Sequence, residues 1–235
     1  MRSRSRADAL RQRGAAPFQP GDGPLEPDKD CPLDDLRIRH LRTSDDIEHI
    51  MKLRRQIDLA AVASADPDFH AHERRKDELG LVLGFDLHGE LIGTIRLMPV
   101  LFGLTLTEQL LAQVEPDFRA RWPRSWDAGR LVMVPQYRTG QKVLKRCLHL
   151  VVLHLMAHTD AQYLLGSCTH ILARLYRRMG FSFVAQNMPL AGTQKKYTLI
   201  HGPIPVVLHA LASPTPDAAP EQSEARVIAS AQACH

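Results

Sequence analysis

The stretch WDAGRLVMVPQYRTGQKVL, residues 126–144, predicts a buried strand, a turn and the start of a long helix. Leu131–Val134 is apolar and β-branched at two positions, and Pro135 ends it because proline has no N–H for a sheet ladder. From Gln141 onward, apolar residues recur at helical spacing. A strand that opens onto a helix N-terminus leaves unpaired N–H groups there, and these favour an anion. The stretch therefore predicts an anion-binding turn with basic residues beside it.

Charge is distributed unevenly along the 235 residues, whose net charge is +4. Residues 21–127 hold 14 basic and 21 acidic side chains, whereas residues 128–216 hold ten basic ones and the acid Asp160. The half of the chain that contains the strand and the helix is therefore strongly basic. Such a field favours a polyanionic ligand or an acidic partner protein, and a solvated basic face is the alternative.

One folded domain is predicted between two tails. Hydrophobic residues make up 44% of the chain, which is ordinary for a globular domain. Residues 1–33 are rich in Arg, Pro and Gly, and residues 213–235 in Pro, Ala, Ser and Glu, so neither segment offers enough apolar surface to offset the entropy of ordering. We therefore predict a domain over residues 34–212 with disordered tails.

Cysteine and histidine usage favours a reducing compartment without a metal site. The four cysteines show no CxxC spacing, which favours a cytoplasmic protein over a disulfide framework. His70 and His72 form the closest histidine pair, and a solvated helix turn explains them better than a metal site. We expect no permanently bound cofactor, no nucleic-acid partner and no transmembrane segment. The cysteines are Cys31, Cys147, Cys168 and Cys234.

The order of periodic segments is β-α-(α)-β-β-α-β-α-β-α-β-β, which predicts an α/β fold with a mixed sheet and helices on both faces. The first helix should be capped by Thr43 or Ser44 and a later one by Thr105 or Thr107. Gly89 should supply positive φ in a hairpin turn, and Gly180 should cap a helix. Residues 115–124 are predicted to be a polar link.

Arg96 lies inside the second strand of the predicted hairpin, among apolar neighbours. A buried arginine is costly without a partner. We therefore predict that Arg96 is paired with a carboxylate such as Asp77 or Asp127.

Two segments resemble the Gcn5-related N-acyltransferase (GNAT) superfamily. Leu131–Gly140 resembles its donor-binding strand and pyrophosphate loop, and Leu172–Phe181 resembles its helix that ends in Tyr-x-x-x-Gly-Phe. The resemblance implies a mixed, mostly antiparallel central sheet with helices on both faces. The family pattern would place glycines near Gln141 and Val143, where this chain has none.

A narrower set of residues is similar to the acyl-homoserine-lactone (autoinducer) synthases and the long-chain N-acyl amino acid synthases. These residues are Arg54, Asp77, Gly93–Pro99 and Asp127–Leu131. The resemblance implies an acyl chain taken from acyl carrier protein, since such enzymes can lack the glycine loop. Two positions depart from the pattern. Arg74 stands where the first acid is expected, and Asp127 replaces a glutamate.

Acyl transfer to an amine needs a held thioester, a polarised carbonyl, a deprotonated amine and a proton for the departing thiolate. Asp127 is predicted to orient or deprotonate the amine, directly or through water, and Tyr176 to protonate the thiolate. A core tyrosine with a satisfied hydroxyl is the alternative for Tyr176. The charged acceptor pocket, for which a structural ion-pair network is the alternative, is predicted to contain Arg54, Asp77, Arg96 and Arg130.

The donor site is predicted on a bulged strand and the helix that follows it. The backbone of a bulged strand at Leu131–Val134 can offer N–H groups to the thioester oxygen and the pantetheine amides. Basic side chains can meet a phosphate or the acids of a carrier protein. The predicted donor-binding residues are Val132, Met133, Val134, Arg138, Thr139, Gly140, Lys142, Lys145 and Arg146.

These features together predict an N-acyltransferase that moves a fatty acyl group from an acyl-phosphopantetheine thioester to the amine of an amino acid or a related small molecule. Acyl carrier protein is the expected donor carrier, with coenzyme A as the other possibility. Two alternatives stay open at this point. One is an acetyl-CoA-dependent N-acetyltransferase of small molecules, and the other is a catalytically inactive acyl-binding module.

Overall fold

The computed structural model describes residues 33–55, 63, 68–138, 140–191 and 193–213, all within the compact unit that begins at Cys31. Most of both predicted tails lies outside these ranges, and so does the predicted donor residue Thr139. The domain boundaries at 34 and 212 therefore stay a prediction.

Seven strands among the described residues form one sheet in the order β1-β2-β3-β4-β5-β7-β6. Neighbouring strands are antiparallel except β4 and β5, which are parallel. This confirms the predicted mixed, mostly antiparallel sheet. The strands are β1 (Arg37–His40), β2 (Leu81–Leu87), β3 (Glu90–Pro99), β4 (Ser125–Met133), β5 (Tyr163–Cys168), β6 (Ser182–Pro189) and β7 (Lys196–Pro203).

Helices cover both faces of the sheet. The apolar sides of α5, α6 and α7 pack in the largest core cluster, and those of α1, α3 and α4 pack in smaller clusters on the opposite face. Alternate strand residues serve the two faces, so Leu164 belongs to the first core and Leu165 to the second. The helices are α1 (Ser44–Arg54), α2 (Phe69–Leu79), α3 (Leu106–Val114), α4 (Phe118–Arg121), α5 (Gln141–His158), α6 (His170–Arg177) and α7 (Ile204–Ala212).

Local signals in the sequence determine several element ends. Thr43 caps α1 and Thr105 caps α3, each in a capping box with the acid three residues later. Gly89 has φ 83° in the β2–β3 turn, and Gly180 has φ 89° after α6. At Gly180 a Cβ would also lie 2.9 Å from the carbonyl oxygen of Val206. Positive φ thus accounts for both predicted glycines.

Two predictions of extent were wrong. Strand β4 begins at Ser125, six residues before the predicted Leu131, because its first residues alternate between the two faces and do not form one apolar run. The predicted polar link at 115–124 contains α4, and Phe118 and Trp122 are buried beneath it. Charged neighbours conceal this apolar pair in the sequence.

Two irregularities in β4 open the sheet. Thr94 lies opposite Val132 and Arg96 opposite Gly129, so Arg130 and Leu131 together face Ile95 in a β-bulge. Arg130 takes φ 52° there. The parallel pairing of β4 with β5 stops at Asp127 opposite Leu165, although both strands continue. The bulge lies at the start of the predicted stretch Leu131–Val134, and the strands separate beside it.

Candidate active site

A cavity of about 570 Å³ runs through the gap between β4 and β5. On one face of the sheet it is lined by polar and charged side chains, which include Arg96, Asp127 and Arg130. On the other face it enters an apolar space between α5, α6 and α7. The gap therefore joins a charged pocket to an apolar one. The apolar lining includes Leu148, Val151, Val152, Leu172, Phe181, Val207 and Leu211.

Glu73 is the centre of the charged pocket. Its carboxylate accepts hydrogen bonds from Arg96 Nη1 at 3.0 Å, from Arg130 Nε at 2.7 Å and from Lys76 Nζ at 3.1 Å. Burial disfavours the charged form of Glu73, but Arg130, Arg96 and Lys76 outweigh it and hold the pKa of Glu73 well below its usual range. The Glu73 carboxylate thus stays charged at neutral pH and orients two arginines.

Asp77 lies one helical turn further along α2 and is the second acid of the ion-pair network that contains Glu73 and Arg96. It accepts a bidentate pair from Arg54 at 2.5 and 2.9 Å, and Arg96 Nη1 reaches it at 3.1 Å. The predicted ion pair of Arg96 with Asp77 is present. The other ion pair of Arg96 is with Glu73, and Arg96 makes none with the other predicted partner, Asp127. Asp77 therefore ties α1 and α2 to β3.

The position at which the family pattern's first acid is expected, Arg74, lies outside the charged pocket. Arg74 is exposed, and the acid is its neighbour Glu73. Glu73 and Asp77 are spaced i, i+4, which places both on one face of α2. That spacing was the sequence signal that would have identified Glu73.

The charged pocket carries an excess of positive charge. Among the described residues, three cations (Lys76, Arg96 and Arg130) and the anion Glu73 line the cavity, which leaves a net charge of +2 before Asp127 is counted. Arg130 uses only Nε in this network, and within the described part of the chain its two terminal nitrogens donate no hydrogen bond. Its guanidinium lies 5.7 Å from the centre of the Phe69 ring. Arg130 thus keeps two donors for an anionic group.

Asp127 lines the cavity where β4 and β5 begin to separate. Burial raises the pKa of its carboxyl to about 6, although the hydroxyls of Thr107 and Thr105 and the charge of Arg96 favour the ionised form. Its Oδ1 atom has no hydrogen-bond partner among the described residues. Asp127 is thus a carboxylate of raised basicity with one oxygen available to a ligand.

Tyr176 lies on the apolar side of the same gap. Its side chain lines the cavity, and its ring centre is 5.8 Å from that of Phe181. Burial raises the pKa of the Tyr176 hydroxyl, and the Cys168 thiol nearby raises it further. The hydroxyl therefore keeps its proton at neutral pH, as a general acid must.

The predicted donor strand is only partly available to a ligand. The N–H of Val134 donates to the carbonyl of Ile92 within the sheet, and alternation directs the N–H of Val132 the same way. The N–H of Val134 is therefore used within the sheet, and donor binding by Val132, Met133 and Val134 stays a prediction. By the same alternation, the N–H of Met133 points away from β3.

The basic residues after β4 have unequal roles. Arg138 Nε donates to the carbonyl of Met133 at 2.8 Å, and Lys145 Nζ donates to the carbonyl of Ser213. Gly140 is the N-cap of α5 and, as a glycine, makes no side-chain hydrogen bond there. Lys142 is exposed and Arg146 half-buried on the same helix. Lys142 and Arg146 are therefore better placed than Lys145 to meet a donor.

Several residues of the site were not predicted from the sequence. Besides Glu73, the cavity is lined by Lys76, Thr105, Thr107 and Tyr197. The threonines were recognised only as helix caps. Tyr197 is buried on β7, and no spacing in the sequence connects it with the arginines.

Neither a metal cluster nor a membrane span is found in the described ranges. No three His, Cys, Asp or Glu side chains there come together closely enough to hold a metal ion. None of the helices there combines the length and the apolar character that crossing a bilayer requires. Cys147 and Cys168 are buried free thiols.

Solved structures share this architecture. FeeM, an N-acyl amino acid synthase from uncultured soil microbes, has a TM-score of 0.58 at 13% identity, over 76% of this chain and 98% of FeeM. An uncharacterised protein from Bacillus halodurans has a TM-score of 0.55 at 15% identity, over 75% of this chain and 88% of that one. A chimera of the spermidine N-acetyltransferase SpeG from Vibrio cholerae and hSSAT has a TM-score of 0.52 at 12% identity, over 75% of this chain and 99% of that one. At such identities the likeness establishes the fold.

The fold, with its opened β4–β5 gap, is of the GNAT type. A search of curated protein sequences found no match. The family model described as N-acyl amino acid synthase FeeM matches residues 60–202, which is more than half of the chain. The chain belongs to the FeeM N-acyl amino acid synthase family, and it is an acyltransferase.

Proposed function

We propose that this enzyme transfers a fatty acyl group from acyl carrier protein to the amine of an amino acid, in the cytoplasm. The observation that supports this most directly is the cavity that joins an apolar pocket to a positively charged one through the sheet. The apolar side suits an acyl chain and the charged side suits an amino acid. A thioester carbonyl placed in the gap would lie between the two.

In the proposed reaction the amine nitrogen attacks the thioester carbonyl carbon. Asp127 takes a proton from the amine, the C–S bond breaks, and Tyr176 gives a proton to the departing thiolate. The amide of Met133, which alternation directs away from β3, would stabilise the negative oxygen that forms meanwhile. The products are an N-acyl amide and the free thiol of the donor.

The charge of the pocket favours an acceptor with one carboxylate. Counted over the described residues, the pocket has a net charge of +2, which becomes +1 when Asp127 is ionised. One acceptor carboxylate would neutralise this remaining charge. A cationic acceptor such as S-adenosylmethionine would add a positive charge to this site. The pocket thus supports an amino acid and disfavours the homoserine-lactone reaction.

Arg130 is the residue that we expect to bind the acceptor carboxylate. Replacing Arg130 by Gln should raise the KM for the amino acid about tenfold or more with a smaller effect on kcat, because two charge-assisted hydrogen bonds are lost. Steady-state kinetics at saturating donor measure both constants. An unchanged acceptor KM would contradict this role.

The apolar space should determine acyl chain length. Leu211 lines it at the end of α7 and is buried. Replacing Leu211 by Trp should shift the preference toward shorter chains, because each methylene that no longer fits loses about 0.8 kcal/mol of burial. Competition between two thioesters that differ by four or more methylenes measures the shift. Leu153→Trp, at a surface position of α5, is the matched control.

The basic side of α5 should dock the acidic carrier protein. Lys145 contacts Ser213, so reversing its charge would also disturb the end of α7. We therefore choose Lys142→Glu with Arg146→Glu. This pair should slow association with acyl carrier protein at least tenfold at low salt and less at high salt. Lys52→Glu with Arg55→Glu makes the same charge change on exposed residues at the C-terminal end of α1, across the sheet.

Long-chain acyl-CoA turnover separates the two possible donor carriers. It should change less than carrier-protein turnover in the α5 variant. The proposed donor is refuted if the wild-type enzyme uses acyl-CoA far more efficiently than the carrier-protein thioester, or if the α5 variant associates with the carrier protein normally at every salt concentration.

Mass spectrometry of lipid extracts from an expressing bacterium tests the function as a whole. New N-acyl amino acids that are absent with Asp127→Asn would support it. Acetylated amines alone would favour the small-molecule N-acetyltransferase. Retained acyl-thioester binding without any product would indicate an acyl-binding module.

A further inference from the structure

Glu108 is a buried carboxylate for which the proposed reaction has no role. It lies in the first turn of α3 and is 2% exposed. Its oxygens accept hydrogen bonds from three consecutive backbone N–H groups, those of Gly103 at 2.9 Å, Leu104 at 3.0 Å and Thr105 at 3.2 Å. A capping box needs only the last of these. The other two hydrogen bonds, from Gly103 and Leu104, hold the loop before α3 against the same carboxylate.

This loop forms part of the cavity wall beside Asp127. Leu104, Thr105 and Thr107 all line the cavity. Thr105 Oγ1 accepts the N–H of Glu108 at 3.2 Å, so the hydroxyl proton remains available for another acceptor. Thr105 and Thr107 are both buried, and their hydroxyls favour the charged form of Asp127. The conformation of residues 103–105 therefore determines where the Thr105 hydroxyl stands.

We infer that Glu108 is a positioning residue, which holds the Gly103–Thr105 loop so that the hydroxyls of Thr105 and Thr107 face the Asp127 carboxylate. The inference rests on the proposed function of Asp127 as the base. Glu108 acts through the loop and does not touch the substrate. The negative charge of Glu108 itself opposes ionisation of Asp127. The threonine hydroxyls that Glu108 positions favour ionisation, so they offset this opposing charge.

Glu108→Asp separates positioning from charge, because it keeps the carboxylate but withdraws it by one methylene from the three amides. The threonine hydroxyls should then face Asp127 less well. We expect the pKa of Asp127 to rise by about 0.5–1 unit, since a hydrogen bond to the charged form is lost. The apparent pKa on the acid side of the kcat/KM profile should rise by the same amount.

Carbon-13 NMR of the Asp carboxyls, with the Asp127 signal assigned by Asp127→Asn, measures this pKa without turnover. Thr105→Val with Thr107→Val should produce a similar shift. Adding Glu108→Asp to that pair should produce little more, because both changes act on the same hydroxyls. If Glu108→Asp leaves the Asp127 titration unchanged, or its shift adds fully to that of the threonine pair, the inference is wrong.

Asp46 provides a matched control. It is also a buried capping-box acid, which accepts the N–H groups of Arg42 and Thr43 at the start of α1. Asp46→Asn should lower the melting temperature without moving the Asp127 titration, and an equal shift there would show a general effect of loosened caps.

If Glu108→Asp does not fold, Glu108→Gln of nearly equal volume replaces it. The threonine pair should then shift Asp127 less in that background than in the wild type, and an equal shift would overturn the inference.

The NMR measurement also separates this inference from the proposed function. A wild-type enzyme without N-acylation would refute the function, while the coupling between Glu108, the threonines and Asp127 would still be measurable. Conversely, an active enzyme without that coupling would refute only the role of Glu108.

Discussion

Replacing Asp127 by Asn should lower kcat by about 100-fold or more, because a general base contributes roughly that factor. The same change should make the protein more stable at pH 8. Asparagine keeps the shape of the side chain and a carbonyl oxygen for the threonine hydroxyls. It has no charge to bury.

The sign of the stability change follows from the pKa of Asp127. That pKa is about 6 in the folded protein and 3.8 in the unfolded chain. A raised folded pKa contributes stability that is fully present below pH 3.8 and is lost as the pH rises through 6. At pH 8 the ionised carboxylate therefore costs on the order of 3 kcal/mol, at 1.36 kcal/mol per pKa unit. Asp127→Asn removes this cost.

Thermal unfolding at pH 5 and pH 8 measures the effect. The melting temperature of Asp127→Asn should exceed that of the wild type by several degrees at pH 8 and by roughly half as much at pH 5. In the wild type, kcat/KM should fall as the pH drops below about 6, because the base becomes protonated. Wild-type turnover in the variant would refute the catalytic role, and a variant that is less stable at pH 8 would refute the pKa assignment.

Replacing Arg96 by Ala should abolish activity and destabilise the fold by about 3 kcal/mol or more, the range observed when one member of a buried ion pair is removed. Arg96 is 7% exposed and pairs with both Glu73 and Asp77. The two acids would still have cationic partners, which are Arg130, Lys76 and Arg54. They would, however, lose the ion pairs that connect them to β3. Urea unfolding and acyl-transfer assays measure the two effects.

Two further variants separate the charge of Arg96 from its volume. Arg96→Met retains most of the side-chain volume, so it should lose activity while recovering part of the packing. Arg96→Lys retains the charge but cannot reach both carboxylates with one planar group, and it should fall between the two. The charge of Arg96 also lowers the pKa of Asp127. Any residual activity of Arg96→Met should therefore require a higher pH, and wild-type turnover in Arg96→Ala would refute the assigned role.

The sequence alone was sufficient for features that depend on nearby residues. Thr43, Thr105, Gly89 and Gly180 act within a few positions of the chain, through capping hydrogen bonds or positive φ. The two glycines were predicted directly, and each threonine was one of two predicted caps. The strand and helix around Pro135 followed from short-range periodicity in the same way. The family resemblance added the sheet topology and most of the arginine and aspartate positions.

Only the tertiary structure determined how distant groups meet. Glu73 pairs with Arg96 and Arg130, which are 23 and 57 residues away in the chain. These ion pairs form only because the turn of α2 that carries Glu73 lies against β3 and β4. The raised pKa of Asp127 likewise depends on burial and on threonines from α3 and the loop before it. Local patterns carry no information about such distances. Burial and electrostatics act through space, and the bulge and strand separation in β4 determine which side chains share the cavity.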